Sequence, residues 1–493
     1  MRRRARRSGR RAPAVPGGRR RGFDPGGRGL GRSARPRCRF FDPRVRLPYT
    51  GGGAMRTAKR IPRSLLVGGI LLAAGAALAA LLRSGPPAGQ DVPAAEPAPR
   101  AAPAETPAAA PEPATPVEGT PPPAGPVDIE RVRLMLDPTQ AVVEGDRLVQ
   151  PLPDGSKAVL SLRPEAQEKL QALFDKYDVP VGAVVAIEAA TGRVVAFVSR
   201  SRAPAERPAA LDASFPSASV FKLVTAAALL EEQHLDGTAR VCYRAASGTR
   251  RLSAKDIEEE LVEGSEGVTC DSLADGVAKS LNPVLARLAY QHLTPRTLLR
   301  YAERFAFGRA VPFDLPLDVS PLEIPQDKLE FARTAAGFWH VGLSPTHGAV
   351  LAQTIANGGR MLRPTLIDAV VTADGREAWT AAPQPLRRVI DEATAAALGT
   401  MMVRTVDAGT AKRDFTDPQG RSFLSYPVAG KTGSLANPNP FMAYSWFVGW
   451  APAGTPPPDT PVYAVAALVV NEERWRIKAP LVARETLRLL LGN

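Results

Sequence analysis

Histidine is scarce in this chain of 493 residues, and the few histidines present form no recognisable site. The four are His234, His292, His340 and His347, and their spacing is not that of metal ligands. The sequence also lacks a G-x-S-x-G motif, which disfavours a Ser-His-Asp hydrolase. We therefore expect neither a metal ion nor a cofactor.

Cysteine is also rare, with three residues in the whole chain. Cys38 lies in an arginine-rich N-terminal segment, whereas Cys242 and Cys270 lie far downstream. If the downstream part lies outside the cytoplasm, these two are expected to form a disulfide. Closing a loop of about 28 residues would contribute roughly 3–4 kcal/mol to stability. The alternative is a pair of unbonded, buried thiols.

Lysine is absent from residues 1–54, which instead contain 17 arginines against Asp24 and Asp42. This segment accounts for the formal net charge of +14, because the remaining residues carry a net charge of −1. The folded part is therefore not basic, and we expect no nucleic-acid partner. Residues 1–54 are too poor in apolar runs to bury a core. They are either a basic arm for anionic partners or, as we prefer, an upstream extension with Met55 as the true start.

An uninterrupted apolar run occupies residues 65–82 and is long enough for a transmembrane helix. Residues 55–64 form a basic flank, which by the positive-inside rule places the N-terminus in the cytoplasm. A cleaved signal peptide and a buried core helix are the alternatives. Residues 83–127 follow as a linker rich in proline and alanine, with 14 prolines between positions 85 and 126. Such a segment is expected to be disordered but extended.

Residues 128–493 are expected to form one α+β domain. A helix is predicted at 164–177, followed by strands at 182–187 (GAVVAI) and 193–198 (RVVAFV), which Ala190-Thr191-Gly192 joins as a hairpin. Further strands are predicted at 428–432, 444–450 and 462–470, before a final helix at 480–491. A helical segment is also predicted at 273–291. Strands at both ends of the domain, with helices between them, indicate a sheet closed by strands that are distant in sequence.

The stretch SFPSASVFKLVTAAALLEE at 214–232 is predicted to be one buried helix. Ser219 and Lys222 interrupt its apolar series and, three residues apart, share a helix face. Burial disfavours the charged form of a lysine, so Lys222 could act as a base toward the Ser219 hydroxyl. The alternative is a lysine that reaches the surface beside a serine that caps the helix.

Two further motifs occur once each, in a fixed order after the first. Among the six asparagines only Asn282 has a serine two positions before it, Ser280. The triplet Lys431-Thr432-Gly433 lies within PVAGKTGSLA. Together with S-x-x-K, these motifs resemble those of the penicillin-recognising serine acyltransferases, which include penicillin-binding transpeptidases, D,D-carboxypeptidases and serine β-lactamases. The segments GAVVAIEAATGRVVAFVS and SWFVGWAP extend the resemblance over roughly residues 160–493.

The resemblance implies a β-lactamase/transpeptidase-like fold, in which an antiparallel sheet is flanked by helices and joined to an all-helical subdomain. It implies that Ser219 is the nucleophile and Lys222 its base. Ser280 would pass a proton to the leaving amine, and Asn282 would hold the substrate and Lys222. Lys431 would supply positive charge at the substrate's end.

The remaining implied residues bind substrate. Thr432 would bind the terminal carboxylate, and Gly433 would leave room for substrate along the strand edge. The backbone amides of Ser219 and Ser434 would form an oxyanion hole. The expected partners are peptidoglycan stem peptides and β-lactams, and the sequence identifies no protein partner.

The long interval between the second and third motifs favours a monofunctional, serine-type D,D-transpeptidase. A D,D-carboxypeptidase or a β-lactamase of the same superfamily is the first alternative, and a non-catalytic membrane-anchored scaffold or β-lactam sensor is the second. The stretch between the linker and the domain is short, so a large N-terminal domain is expected to be reduced or absent, with no glycosyltransferase module. With the helix at 65–82 retained in the inner membrane, the catalytic domain would lie on the periplasmic side.

Overall fold

The structure is a computed structural model, and it describes residues 127–244 and 252–492. The predicted arginine-rich extension, the transmembrane helix at 65–82 and most of the linker lie outside the described residues. Within the described ranges, no helix has the length and apolar composition required to cross a membrane.

The described ranges contain strands that fall into four antiparallel groups. In chain order they are β1 Val142–Glu144, β2 Arg147–Pro151, β3 Lys157–Leu160, β4 Val181–Glu188, β5 Val194–Ser201, β6 Arg240–Arg244, β7 Val268–Ser272, β8 Arg360–Leu362, β9 Ile367–Val371, β10 Glu377–Thr380, β11 Pro385–Arg388, β12 Ala429–Pro438, β13 Phe441–Ala451 and β14 Tyr463–Asn471.

In the described stretch between β7 and β8, in the middle of the domain, five helices follow one another without an intervening strand. In chain order the helices of the described ranges are α1 Ile129–Leu134, α2 Pro164–Lys176, α3 Lys222–Glu232, α4 Ala254–Glu258, α5 Leu273–Ala278, α6 Asn282–His292, α7 Pro295–Arg304, α8 Lys328–Ala335, α9 Pro345–Ala356, α10 Glu392–Asp407, α11 Lys412–Phe415 and α12 Ala479–Leu491. Short 3₁₀ turns occupy Pro138–Gln140 and Ala218–Val220.

The central sheet has the strand order β12-β13-β14-β4-β5, and every neighbouring pair is antiparallel. It joins the predicted β4–β5 hairpin to the three C-terminal strands, so the predicted α+β class and antiparallel sheet are confirmed. Helix α9 packs on one face, and α2 and α12 pack on the other. Because both faces are covered, β13 and β14 are apolar almost throughout: Trp446 and Val448 belong to one core cluster, and Phe447 to the other.

A second sheet was not predicted. The sequence indicated helical or irregular structure between the linker and residue 164, but β1, β2 and β3 pair there with β9 and β10. The three strands are only three to five residues long, and β1 is exposed along its whole length. Their sequence therefore contains little of the alternation that marks a strand.

The helical segment predicted at 273–291 is two helices, α5 and α6, with a break at residues 279–281. Ser280 adopts a φ of +57°, a left-handed conformation that cannot continue a right-handed helix. Asn282 then begins α6, and Pro283 follows in its first turn, where the missing N–H costs no hydrogen bond. The break turns the second motif toward the sheet.

Candidate active site

The nucleophile of the first motif lies in a tight turn rather than inside one long helix. Ser219 is the middle residue of the 3₁₀ turn Ala218–Val220, and Lys222 is the first residue of α3. The predicted helix starts late because Ala218 has a φ of +48° and Pro216 makes an antiparallel bridge to Gly342. Ser219 therefore precedes the helix N-terminus, where the helix dipole favours developing negative charge.

The segment after α8 packs closely against the turn that carries Ser219. Gly337 has a φ of +79°, and a Cβ at this position would lie 2.4 Å from the carbonyl oxygen of Ala218 and 2.9 Å from the Cα of Ser219. Only glycine permits both the conformation and this close approach. The adjacent Ala336 carbonyl accepts a hydrogen bond from Lys222, so the same segment contacts both residues of the first motif.

Lys222 is fully buried, and its amine has three hydrogen-bond partners. Nζ lies 2.8 Å from Ser219 Oγ, and it donates to Asn282 Oδ1 at 2.7 Å and to the carbonyl oxygen of Ala336 at 2.5 Å. Burial, and secondarily the nearby charge of Lys431, hold the pKa of Lys222 well below its usual range. The amine is thereby made available as a base.

The three partners fix the direction of the neutral amine's lone pair. A neutral amine has two N–H groups and one lone pair. The amide oxygen of Asn282 and the carbonyl of Ala336 can only accept hydrogen bonds, so they take the two N–H groups. The lone pair then points to the third partner, the hydroxyl of Ser219, which can donate its proton.

The second motif lies across the cleft from the third and contacts both lysines. Ser280 Oγ accepts a hydrogen bond of 3.0 Å from Lys431 Nζ, while Asn282 contacts Lys222. Because Ser280 has a left-handed conformation, its side chain and that of Asn282 can contact two different lysine amines. The structure therefore brings the five side chains together as two hydrogen-bonded groups, Ser219–Lys222–Asn282 and Ser280–Lys431, which the short segment from Ser280 to Asn282 holds side by side.

The third motif lies on β12, the edge strand of the central sheet. Lys431 is fully buried and also donates to the carbonyl oxygen of Thr432 at 2.9 Å. Burial lowers the pKa of Lys431 to about 7. Two buried ammonium groups in one site disfavour each other, so the arrangement suits one neutral and one charged lysine.

Gly433 brings β12 against the turn that carries Ser219. A Cβ on Gly433 would lie 3.3 Å from the side chains of both Ala218 and Val220, and 3.1 Å from Trp446 Cβ. Trp446 is fully buried and donates from Nε1 to the carbonyl oxygen of Pro216 at 2.9 Å, which ties the turn to β13. Ser434, the next residue along the edge, is exposed.

Three contributors to the site were not predicted from the sequence. Ala336 and Gly337 contribute through their backbone atoms. In the segment TAAGF, only the glycine could have indicated a close backbone contact from sequence. The Thr410 hydroxyl lies 2.5 Å from that of Thr432, and either oxygen can be the donor. Thr410 follows α10, more than twenty residues before the third motif, so no local pattern identifies it.

Cys242 and Cys270 are bonded to each other and join β6 to β7. Strand β7 leads directly into α5, with Ser272 as the N-cap. The disulfide therefore lies on the element that precedes the second motif and not within the set of reactive side chains.

Comparison with known proteins agrees with this geometry. Residues 182–487 match the model of the penicillin-binding protein transpeptidase domain. The chain is 26% identical to the peptidoglycan D,D-transpeptidase PbpA of Mycolicibacterium smegmatis over 359 residues, covering 64% of this chain and 68% of the relative. It is 27% identical to the protein of the same name from Mycobacterium tuberculosis over 330 residues, covering 59% of this chain and 62% of that one.

Solved structures share the fold. The crystal structure of PBPA from Mycobacterium tuberculosis superposes with a TM-score of 0.54 at 25% identity, covering 68% of this chain and 82% of that one. The D,D-transpeptidase domain of a peptidoglycan glycosyltransferase from Eggerthella lenta gives a TM-score of 0.56 at 21% identity, covering 75% and 91%. With three motifs gathered at one cleft and a family match over most of the folded part, the chain belongs to the penicillin-binding protein transpeptidase family.

Proposed function

We propose that the chain is a peptidoglycan D,D-transpeptidase that cross-links stem peptides through a serine acyl-enzyme and is acylated by β-lactams. One observation carries the proposal: a fully buried lysine amine contacts both the Ser219 hydroxyl at 2.8 Å and Asn282 Oδ1 at 2.7 Å. A buried amine directed at a hydroxyl is the arrangement needed to activate a serine nucleophile.

In the first half-reaction, Ser219 Oγ attacks the carbonyl between the two terminal D-alanines. Its proton moves to the neutral Lys222, whose lone pair faces the hydroxyl. The new O–C bond gives a tetrahedral intermediate, whose oxyanion is stabilised by the backbone amides of Ser219 and Ser434. The C–N bond then breaks, and the terminal D-alanine leaves as an amine.

The leaving amine needs a proton, and Ser280 is placed to deliver it. Its hydroxyl accepts a hydrogen bond from Lys431, which can replace the proton that Ser280 gives up, and Asn282, two residues further on, holds Lys222. Asn282 keeps Lys222 in place throughout, because its amide oxygen accepts from the amine in either charge state. In the second half-reaction an acceptor amine attacks the acyl-enzyme and gives its proton to Ser280, while Lys222 returns a proton to Ser219 Oγ as the O–C bond breaks.

The third motif binds the donor peptide. Charged Lys431 attracts the terminal carboxylate, and the Thr432 hydroxyl donates a hydrogen bond to it. Gly433 leaves the edge of β12 open beside the nucleophile, so a peptide can lie along the strand in extended form. Exposed Ser434 continues this edge past the reacting carbonyl.

The proposed location follows from the N-terminal sequence. An apolar segment at 65–82 would anchor the chain in the inner membrane, and the proline-rich residues 83–127 would hold residues 128–493 away from it. The acyl-transfer chemistry would then take place on the extracytoplasmic side, where peptidoglycan lies. A bonded Cys242–Cys270 pair suits that oxidising side.

Labelling of the purified full-length chain with a fluorescent penicillin tests the proposal. We expect a stable covalent label on the wild-type protein and none on Ser219→Ala. Ser217→Ala is the matched control, because within the described ranges the buried Ser217 Oγ has no hydrogen-bond partner, and this variant should label normally. A separate incubation of the unlabelled enzyme with D-amino acid acceptors and a D-Ala-D-Ala donor then measures transfer against hydrolysis.

Each outcome separates the candidate functions. Stable label with transfer to the amine supports the transpeptidase, and stable label with hydrolysis of the donor alone would assign a carboxypeptidase. Rapid loss of label would assign a β-lactamase. Absence of label on the wild-type chain, or normal label on Ser219→Ala, would overturn the acyl-transfer mechanism.

A further inference from the structure

We propose that Thr410 is a positioning residue that holds the Thr432 hydroxyl ready to donate its proton to the substrate's carboxylate. This inference rests on the proposed function, in which Thr432 binds that carboxylate. It concerns a residue outside the three motifs, on the loop between α10 and α11.

The two hydroxyl oxygens lie 2.5 Å apart, so one of them donates its proton to the other. A threonine hydroxyl has one proton to donate and lone pairs that accept. If Thr432 donates to Thr410, it has no proton left for a carboxylate. Thr432 can bind a carboxylate only when Thr410 is the donor, because then the Thr432 proton is free to point into the cleft.

The backbone holds Thr410 where this contact is required. Its N–H donates to the carbonyl oxygen of Ala278, the last residue of α5, at 3.1 Å. A Cβ on the preceding Gly409 would lie 2.1 Å from the same oxygen, so only glycine allows the loop to approach so closely. The Gly409–Thr410 loop is thereby fixed to the helix that leads to Ser280, while its hydroxyl contacts the third motif.

Donation from Thr410 also strengthens the Thr432 hydrogen bond. A hydroxyl that accepts one hydrogen bond becomes a better donor, because the two bonds polarise each other. Thr410 is exposed, whereas Thr432 is 9% exposed, so the hydroxyl pair lies at the cleft wall where a ligand can reach it. A carboxylate arriving at Thr432 selects the Thr410-donating arrangement.

Two substitutions at Thr410 separate the contribution of the hydroxyl group from that of the side chain's shape. Thr410→Val keeps the branched shape and loses the donor, whereas Thr410→Ser keeps the donor. Because Thr410 is exposed, neither should lower the melting temperature appreciably. The probes are benzylpenicillin, which carries a carboxylate, and its methyl ester, which does not. The measurement is the second-order rate constant for acylation of the full-length chain.

We expect Thr410→Val to slow acylation by benzylpenicillin about tenfold, since one hydrogen bond to a charged group is lost or weakened. Acylation by the methyl ester should change by less than about twofold. The ester is uncharged and so accepts no charge-assisted hydrogen bond from Thr432. Thr410→Ser should stay within about twofold of the wild type with both probes. The ratio of the acylation rate constant for benzylpenicillin to that for its methyl ester should therefore fall in Thr410→Val and not in Thr410→Ser.

Three results would overturn the inference: unchanged acylation of Thr410→Val by benzylpenicillin, an equal loss with acid and ester, or a Thr410→Ser variant as slow as Thr410→Val. The equal loss would indicate a purely structural role. In all three cases the wild-type chain is still acylated, so the proposed function stands. A wild-type chain that neither probe acylates would instead remove the proposed function and the inference with it.

Discussion

Lys431 Nζ donates a hydrogen bond of 3.0 Å to Ser280 Oγ, although the two residues lie 151 positions apart in the chain. Two residues after Ser280, Asn282 accepts from Lys222 at 2.7 Å. A single three-residue segment therefore sets the separation between two fully buried amines. In addition to burial, the charge of Lys431 lowers the pKa of Lys222, and the pH dependence of the reaction should show it.

The first prediction concerns the pH profile of acylation. The free enzyme needs Lys222 neutral and Lys431 charged. The second-order rate constant for benzylpenicillin should therefore rise with pH as Lys222 loses its proton, and fall above about pH 7 as Lys431 does. In Lys431→Met the alkaline fall should disappear. Its acid limb should move to higher pH, because removing the positive neighbour raises the pKa of Lys222.

Lys412→Met provides the control for this experiment. Lys412 is exposed on α11 and contributes nothing to the lowered pKa of Lys222. Its removal should leave both limbs in place. An acid limb at the same pH in the wild type and in Lys431→Met would show that the two amines do not interact.

A second prediction concerns the charge beside Lys222. Asn282→Asp would place a carboxylate where Oδ1 now lies, 2.7 Å from the amine. An opposite charge at this distance favours the ammonium and raises the pKa of Lys222. On the acid limb of the profile, acylation should then fall by about tenfold for each unit by which the pKa of Lys222 rises.

The pH dependence tells whether Asn282→Asp acts by charge. If it does, the rate of Asn282→Asp relative to the wild type at the same pH should rise as the pH is raised, because more of Lys222 is again neutral. Asn282→Ala, which introduces no charge, should show no such recovery. A loss in Asn282→Asp that is the same at every pH would contradict a base role for Lys222.

Much of the site was predictable because each motif occurs once and on an element with a strong pattern. The β4–β5 hairpin and the C-terminal strands read as apolar alternation or as buried runs, and the structure places them in one sheet. The contacts between the motifs could not be predicted from the sequence pattern. They depend on left-handed residues, Ala218 and Ser280, whose identity gives no indication of a positive φ.

The predictions that failed, and the contacts that were missed, each have a physical cause. A single helix at 214–232 and another at 273–291 were predicted from the spacing of apolar residues. That spacing stays the same when one residue adopts a non-helical backbone conformation, so it does not reveal a break. Strands β1 to β3 were missed because they are short, and β1 is exposed. Thr410 reaches the site through tertiary packing of α10 against β12, for which local sequence contains no signal.

A third prediction tests the support beneath the nucleophile. Gly337→Ala would force a Cβ to 2.4 Å from the Ala218 carbonyl in a residue with a φ of +79°. The turn carrying Ser219 must shift, and acylation should fall by about two orders of magnitude, as expected for misplacement of a reacting atom by about 1 Å. The measurement is the acylation rate with fluorescent penicillin.

Gly375→Ala is the matched control for Gly337→Ala. Gly375 also has a positive φ, +85°, but within the described ranges nothing lies within 4 Å of its Cβ position. This variant should lose about 1 kcal/mol of stability from backbone strain and retain full acylation. Equal acylation by the two variants would show that the close contact with Ala218 is not needed.

The last prediction concerns the disulfide between β6 and β7. Its residues are separated by 28 positions, and closing a loop of that length stabilises a folded chain by about 3–4 kcal/mol. The Cys242→Ser/Cys270→Ser double variant should lose this amount in denaturant unfolding. Adding reductant should lower the stability of the wild type toward that of the double variant and leave the double variant unchanged. Unfolding midpoints of the wild type that do not differ with and without reductant would show that the bond contributes nothing to stability.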